Sequence, residues 1–224
     1  MDLAGETVLQ RVVERARRFT LVDEVIVATS DLRADNAVVA ECARIDVEKF
    51  RGSESDVLDR FAGAARATDA AVCVRLTADC PLLDPGVSDS IISVFHEADG
   101  AVDYASNKIP QSFPRGLDTE VFSRDALDRA AREAREPYER AHVTPYIYRH
   151  PERFSLISVT SDIDRADWRW TIDSAEDLEF VREIYRRLGG GVDFSWHDVV
   201  ALLEEEPSLM WINAGVQQKD IDQG

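Results

Sequence analysis

The chain has 224 residues, with 43 Asp and Glu against 26 Lys and Arg, for a formal net charge of −17. That length can bury the core of one α/β domain or two small ones. A composition of 45% hydrophobic and 31% charged residues excludes a globally disordered chain, and the acidic balance excludes duplex nucleic acid as a partner, because its phosphates would be repelled.

No apolar run approaches the roughly 18 residues that a membrane span needs, so no membrane insertion is expected. The opening MDLAGETV is not a signal peptide. Cys42, Cys73 and Cys80 are odd in number and lack C-x-x-C spacing, so neither a disulfide framework nor a zinc site is expected. A reducing cytoplasm is the expected compartment. The only lysines are Lys49, Lys108 and Lys219; every other basic residue is arginine. That bias fits a GC-rich genome, and equally a salt-rich cytoplasm in which a carboxylate-covered surface stays hydrated and screened.

Helices and strands alternate along the chain. Thr7 is placed to cap a helix in which Val8, Val12, Ala16 and Phe19 recur at helical spacing. Residues 24–29 are a short apolar run of the kind that fills a buried parallel strand. Residues 35–43 read as a helix, 47–51 as a short strand ended by Gly52-Ser53, and 56–67 as a helix with Val57, Phe61, Ala64 and Ala65 inward. Residues 70–76 form the second buried strand, followed by the loop Thr77-Ala78-Asp79-Cys80-Pro81 and a helix over 87–98. Strands are predicted over 102–106, 117–122, 154–159 and 168–173, and helices over 124–135 and 139–148. Ser174 caps a helix over 175–187, with Asp177 three residues on as an acidic variant of the capping box. Gly189 to Gly191 stop that helix, and a short helix over 196–205 and an irregular tail follow. Repeated βα units predict an α/β fold with a mostly parallel central sheet flanked by helices. Residues 1–188 are expected to form that domain, with 189–224 a helix and tail packed on it.

In such sheets ligands bind at the carboxyl ends of the strands. Asp79 stands just past the end of the apolar strand, in a loop stiffened by Pro81. A carboxylate there suits Mg²⁺, which takes one or two carboxylates plus substrate phosphates; a turn-forming Asp before Pro is the plain alternative. Asp173 repeats the arrangement at the end of 168–172, where it could equally complement a helix dipole. Two such carboxylates from separate strand ends match magnesium-dependent phosphate chemistry. In the junction FRGSESDVLDR (50–60), Gly52 permits close backbone approach. Ser53 to Asp56 offer amide and hydroxyl groups to a base edge, or simply cap the helix. Arg115, Asp118 and Glu120, with Tyr138 to His142, could grip an acidic polyhydroxy sugar, the arginine bidentate to its carboxylate, or form ordinary surface pairs. The chain holds no G-x-x-x-x-G-K-[ST], no G-x-G-x-x-G and no G-x-S-x-G.

Seven segments together resemble the spore-coat polysaccharide biosynthesis protein F group of cytidylyltransferase-like proteins, relatives of CMP-KDO and CMP-acylneuraminate synthetases. They are FRGSESDVLDRF (50–61), VRLTADCPLLDP (74–85), DYASN (103–107), FPRGLDTEVF (113–122), PYERAHVTPYIY (137–148), RWTIDSAEDLEFVREIY (169–185) and INAGVQQK (212–219). The resemblance implies a nucleotide-diphospho-sugar transferase fold and transfer of CMP from CTP to the anomeric hydroxyl of an acidic sugar. It implies Mg²⁺ on Asp79 and Asp173, a nucleotide pocket around Gly52, Ser53, Asp56 and Thr77, and an acceptor pocket of Asn107, Arg115, Asp118, Glu120 and His142. It also makes a homodimer an expectation. Ala78 and Ala141 stand where the family pattern has Gly and Glu. The larger departure is at the start: the family's first buried strand and its basic loop, of the type Q-A-R-x-x-S-x-R-L-P-G-K, have no counterpart after Met1. The expectation is a chain that is weak or inactive on its own. A non-catalytic partner or regulator, and a sugar-nucleotide-dependent glycosyltransferase, are the competing readings.

Overall fold

The computed structural model describes residues 1–218; residues 219–224, the end of the expected tail and of INAGVQQK, lie outside the described residues. The chain opens with a hairpin that periodicity does not reveal. β1 (Asp2–Leu3) and β2 (Glu6–Thr7) pair antiparallel around Ala4 and Gly5, at φ of 54° and 83°. Two left-handed residues are what a two-residue hairpin turn demands. Thr7 then caps α1 (Val8–Ala16), its hydroxyl accepting from the Gln10 N–H at 3.1 Å.

β3 (Ile26–Ser30) and β4 (Glu48–Gly52) pair in parallel, joined by α2 (Asn36–Arg44). α3 (Val57–Ala67) buries Leu58, Ala62 and Ala65, so its inward face is turned by about one residue from the expected Val57, Phe61 and Ala64. The main sheet has the order β5-β7-β6-β8, from β5 (Val72–Arg75), β6 (Tyr104–Ser106), β7 (Glu120–Ser123) and β8 (Leu156–Ser158). β8 runs parallel to β6, whereas β7 is antiparallel to both β5 and β6. Three strands therefore share a direction and β7 opposes them. β7 returns from β6 through a loop with no helical crossover, and such a return sets the two strands antiparallel.

The remaining helices are α4 (Pro85–Glu97), α5 (Arg124–Glu133), α6 (Pro137–His142), α7 (Pro145–Tyr148), α8 (Ala175–Arg187) and α9 (Trp196–Glu205). The expected helix over 139–148 is broken in two where Val143 takes φ 73° and Pro145 starts a new turn. The expected strand over 168–173 reduces to a single parallel bridge between Arg115 and Arg169.

Period-two alternation feeds two cores. Val74, Ala105 and Val121 face α1, α4, α8 and α9, while Cys73, Tyr104 and Phe122 face α3, α5 and α7. The segment after Gly191 shares the first core through Phe194, Val199, Val200, Leu203 and Leu209. Arg15, fully buried on α1, fastens it there. It donates to the carbonyls of Leu83, Val192 (3.1 Å) and Phe194 (3.1 Å) and stacks 4.5 Å from the Phe194 ring. Arg15→Met would leave the Leu83 and Phe194 carbonyls without this donor, each worth about 1–3 kcal/mol, while the Val192 carbonyl keeps Arg18. We expect a loss of about 3 kcal/mol in urea unfolding, and a loss below 1 kcal/mol would contradict this role.

Among the described residues β3 pairs only with β4, and β5 pairs only with β7. One edge of each strand is thus unpaired, and Val72, Cys73, Val74 and Arg75 are all only half-buried.

Candidate active site

β5 and β6 end, and β7 begins, at one edge of the sheet. The loop after β5 closes through the Cys80 N–H on the Thr77 carbonyl (3.3 Å) and the Leu83 N–H on the Cys80 carbonyl (3.1 Å). Asp79 is half-buried at its tip. The Asp79 carbonyl accepts from the Ile172 N–H at 2.9 Å, and Oδ2 accepts from the Thr171 hydroxyl at 3.1 Å. The loop after β5 that carries Asp79 and the segment before α8 that carries Asp173 are therefore tied together backbone to backbone. Asp173 itself is exposed and ion-paired with Arg169.

Asp177 anchors this corner from beneath. It is fully buried and accepts from the N–H groups of Asp173 (3.0 Å) and Ser174 (3.1 Å), from Arg169 Nε and Nη2 (3.0 Å each), and from Asn213 (2.9 Å). Burial pushes its carboxyl up, but Arg169 and Asn213 outweigh burial and hold it below the usual range. Arg115 joins the same corner: its N–H donates to the Trp168 carbonyl (2.9 Å) and its carbonyl accepts from the Trp170 N–H (2.7 Å). Gly116 follows at φ 105°, and a Cβ there would sit 2.8 Å from the Trp170 backbone. Only glycine allows that approach.

The acceptor residues expected from the sequence divide. Asp118 lies with Lys108 and Arg115, and its Oδ1 accepts from Gln111 at 2.9 Å. Burial pushes its carboxyl up, against the pull of Gln111, Lys108 and Arg115. Among the described residues the Arg115 guanidinium takes no hydrogen-bond or ion-pair partner. His142 is half-buried in the last turn of α6. Glu120 and Asn107 are buried, their side chains bonded within the fold. Glu120 is 1% exposed and accepts from Tyr104 (2.8 Å), Thr144 (2.5 Å) and Arg75, with Lys108 Nζ 3.7 Å away. Burial pushes its carboxyl up, yet Lys108 and Arg75 hold it at about 2. Asn107, fully buried, donates to the Leu117 carbonyl (2.8 Å) and accepts from the Thr119 N–H (2.9 Å). It brackets the loop between β6 and β7.

The expected nucleotide loop follows β4. The space over Gly52 is filled by Arg60, whose Cγ would lie 3.1 Å from an added Cβ and whose Nη1 donates to the Ser53 carbonyl at 2.7 Å. Asp56 caps α3 through the Asp59 N–H (2.9 Å) and pairs with Arg140. Its carboxylate therefore serves the fold, and the Ser53 hydroxyl accepts from the Asp56 N–H at 3.0 Å. Thr77 places its hydroxyl 3.1 Å from the Cys80 sulfur. Burial pushes the Cys80 thiol well up, so it keeps its proton and is a packing group beside Asp79.

Sequence reasoning missed Arg75, Lys108, Arg169 and Asn213. Arg75 carried a signal, as the one charge on an otherwise apolar strand; the others depend on folding partners. Two surface clefts, of about 280 and 320 Å³, lie elsewhere. One is lined by Arg17, Glu24 and Glu48 and the other by Asp2, Glu6 and Arg44. Among the described residues no group of three or more His, Cys, Asp or Glu converges on a metal-sized position.

The family model for cytidylyltransferases matches residues 1–204. The chain belongs to the cytidylyltransferase family. Among curated relatives, it is 31% identical to the spore coat polysaccharide biosynthesis protein SpsF of Bacillus subtilis, over 92% of this chain and 86% of that one. It is 27% identical to the 3-deoxy-manno-octulosonate cytidylyltransferase of Chlorobium phaeovibrioides, over 83% of this chain and 90% of that one. A solved cytidylyltransferase structure from Leptospira borgpetersenii superposes with a TM-score of 0.91 at 27% identity, covering 98% of this chain and 91% of that one. The cytidylyltransferase is thus a nucleotidyltransferase with the α/β fold of the nucleotide-sugar transferase type. Among the described residues no helix is long and apolar enough to cross a membrane.

Proposed function

We propose that this cytidylyltransferase moves CMP from CTP to the anomeric hydroxyl of an acidic sugar destined for a surface polysaccharide or glycan, with pyrophosphate leaving. The observation that carries the reading is the backbone tie between the Asp79 loop and the segment ending in Asp173. It joins the loop that follows β5 to the segment that precedes α8, each of which carries one of the two carboxylates.

The donor set fits Mg²⁺, which takes few protein carboxylates and completes its octahedron with water and phosphate oxygens. Asp79 and Asp173 would hold it. When bound, the ion supplies charge to the α-phosphate and to the attacking hydroxyl. The chain's own residues do the rest. Arg115, with an unengaged guanidinium, offers bidentate bonds to the sugar carboxylate. Lys108 adds positive charge beside it, and Asp118 keeps Oδ2 for an acceptor hydroxyl while Gln111 holds Oδ1. Use of CTP and three free thiols suit a cytoplasmic enzyme.

The test is pyrophosphate release from CTP with a panel of 2-keto-3-deoxy and nonulosonic acids. It is run on this chain and on one extended by a basic loop of the family type. Release is expected with at least one acid and with no neutral sugar. No release from either protein with any acid would sink the reading.

A further inference from the structure

The end of the described chain folds back onto the corner that carries Asp173. Asn213, 6% exposed, donates both to the Asp177 carboxylate (2.9 Å) and to the Arg169 carbonyl (3.1 Å). Gln218 Oε1 accepts from Arg169 Nη1 at 2.5 Å. Arg169 in turn spends Nε and Nη2 on Asp177, and shares Nη2 with Asp173. Both the backbone N–H and the carboxylate of Asp173 are thereby referred to the same buried pair.

A helix cap does not need this apparatus. The reciprocal exchange between Ser174 and Asp177 already satisfies the start of α8. Arg169, Asn213 and Gln218 are additional: Arg169 holds the exposed Asp173 carboxylate, and Asn213 and Gln218 hold Arg169 and Asp177. Without them Asp173 and the buried Asp177 would repel, and the Asp173 side chain, 54% exposed, would be free to swing into water. A cation bound by only two carboxylates is sensitive to such freedom, because each ligand that must be ordered on binding weakens it.

We propose that the tail segment 212–218 is a clasp for the divalent-cation site. Asn213 and Gln218 fix Arg169 and Asp177, and these position Asp173. They are positioning residues, not ligands. The proposal rests on the reading of Asp79 and Asp173 as cation ligands given above.

The test uses Tb³⁺ as the probe ion, with emission excited through Trp168 and Trp170 on the segment leading to Asp173, and Mg²⁺ as competitor. In the wild-type chain the emission is expected to depend on both Asp79 and Asp173. Asn213→Ala and Gln218→Ala are each expected to raise the half-saturating Tb³⁺ and Mg²⁺ concentrations three- to tenfold. Saturating ion should restore the wild-type emission, with the far-UV circular dichroism unchanged. Arg169→Lys, which keeps the charge and loses the fork, is expected to behave like Asn213→Ala. Gln218→Ala lies at the surface, so its result stands even if another variant folds poorly. Wild-type affinity in Gln218→Ala and Asn213→Ala, or tighter binding in Arg169→Lys, overturns the clasp and leaves the metal reading intact. Emission that survives both Asp79→Ala and Asp173→Ala overturns the metal reading, and the clasp with it.

Discussion

Asp79→Ala is expected to lower pyrophosphate release at least a hundredfold while leaving the fold in place. The size follows from removing a group that acts on developing charge at a phosphate, where one such interaction is worth roughly 10²–10³ in rate. The preserved fold follows from the contacts. The loop is tied by the Asp79 carbonyl to the Ile172 N–H, by the Cys80 and Leu83 N–H groups, and by the Tyr185 hydroxyl on the Pro81 carbonyl at 2.8 Å. None of these uses the Asp79 side chain, which among the described residues accepts only from Thr171 and, at 3.5 Å, from the Cys80 thiol. The measurement is the steady-state rate with CTP and the best acid acceptor, beside a urea titration. A variant that keeps more than a tenth of the rate would remove Asp79 from the chemistry.

Glu120→Ala is expected to do the reverse, destabilising the protein by about 3–5 kcal/mol, the usual cost of stripping one partner from a buried ion pair. The Arg75 side chain is 13% exposed and its Nε already lacks a hydrogen bond, so loss of Glu120 leaves a buried guanidinium uncompensated. Tyr104 and Thr144 lose their acceptor as well. The same group sets an acid limit. Its carboxyl titrates near 4.5 in an unfolded chain and at about 2 in the folded one. A depressed folded value means stability that is fully present above about 4.5 and is lost as pH falls toward 2. That separation corresponds to roughly 3 kcal/mol. Urea unfolding of wild type and Glu120→Ala between pH 7 and pH 3 should show the gap at neutral pH narrowing below pH 4.5. A constant gap would mean that Glu120 is not the titrating group.

The two experiments separate what the sequence could express from what it could not. The loop position of Asp79, just past β5, was legible because it follows an apolar run, and position along a strand is written locally. The cap of α8 was legible for the same reason. Sequence position does not reveal that the Glu120 and Asn107 side chains are buried and hydrogen-bonded within the fold. Whether a polar side chain at an edge faces solvent or the core depends on partners such as Tyr104, Thr144 and Leu117, from 10 to 24 residues away along the chain. The ion pair of Asp56 is equally hidden, since Arg140 lies 84 residues on. The antiparallel entry of β7 was hidden because a short strand reads alike in either direction. The break at Val143 shows the limit of helical periodicity: the apolar spacing continues through 139–148, but Pro145 removes an N–H that a continuous helix would use.

The unpaired edges of β3 and β5 bear on how the molecule behaves in a crowd. Exposed strand edges are templates for pairing with other chains, and here the apolar residues beside one of them are half open to water. The formal charge of −17 works against that tendency, because copies repel before their edges meet. The repulsion has a range of about 8 Å at physiological salt and about 3 Å at 1 M. Colloidal behaviour is therefore governed by ionic strength through two opposed features of one surface: a negative coat that disperses the chains, and a pair of strand edges that gathers them as the coat is screened.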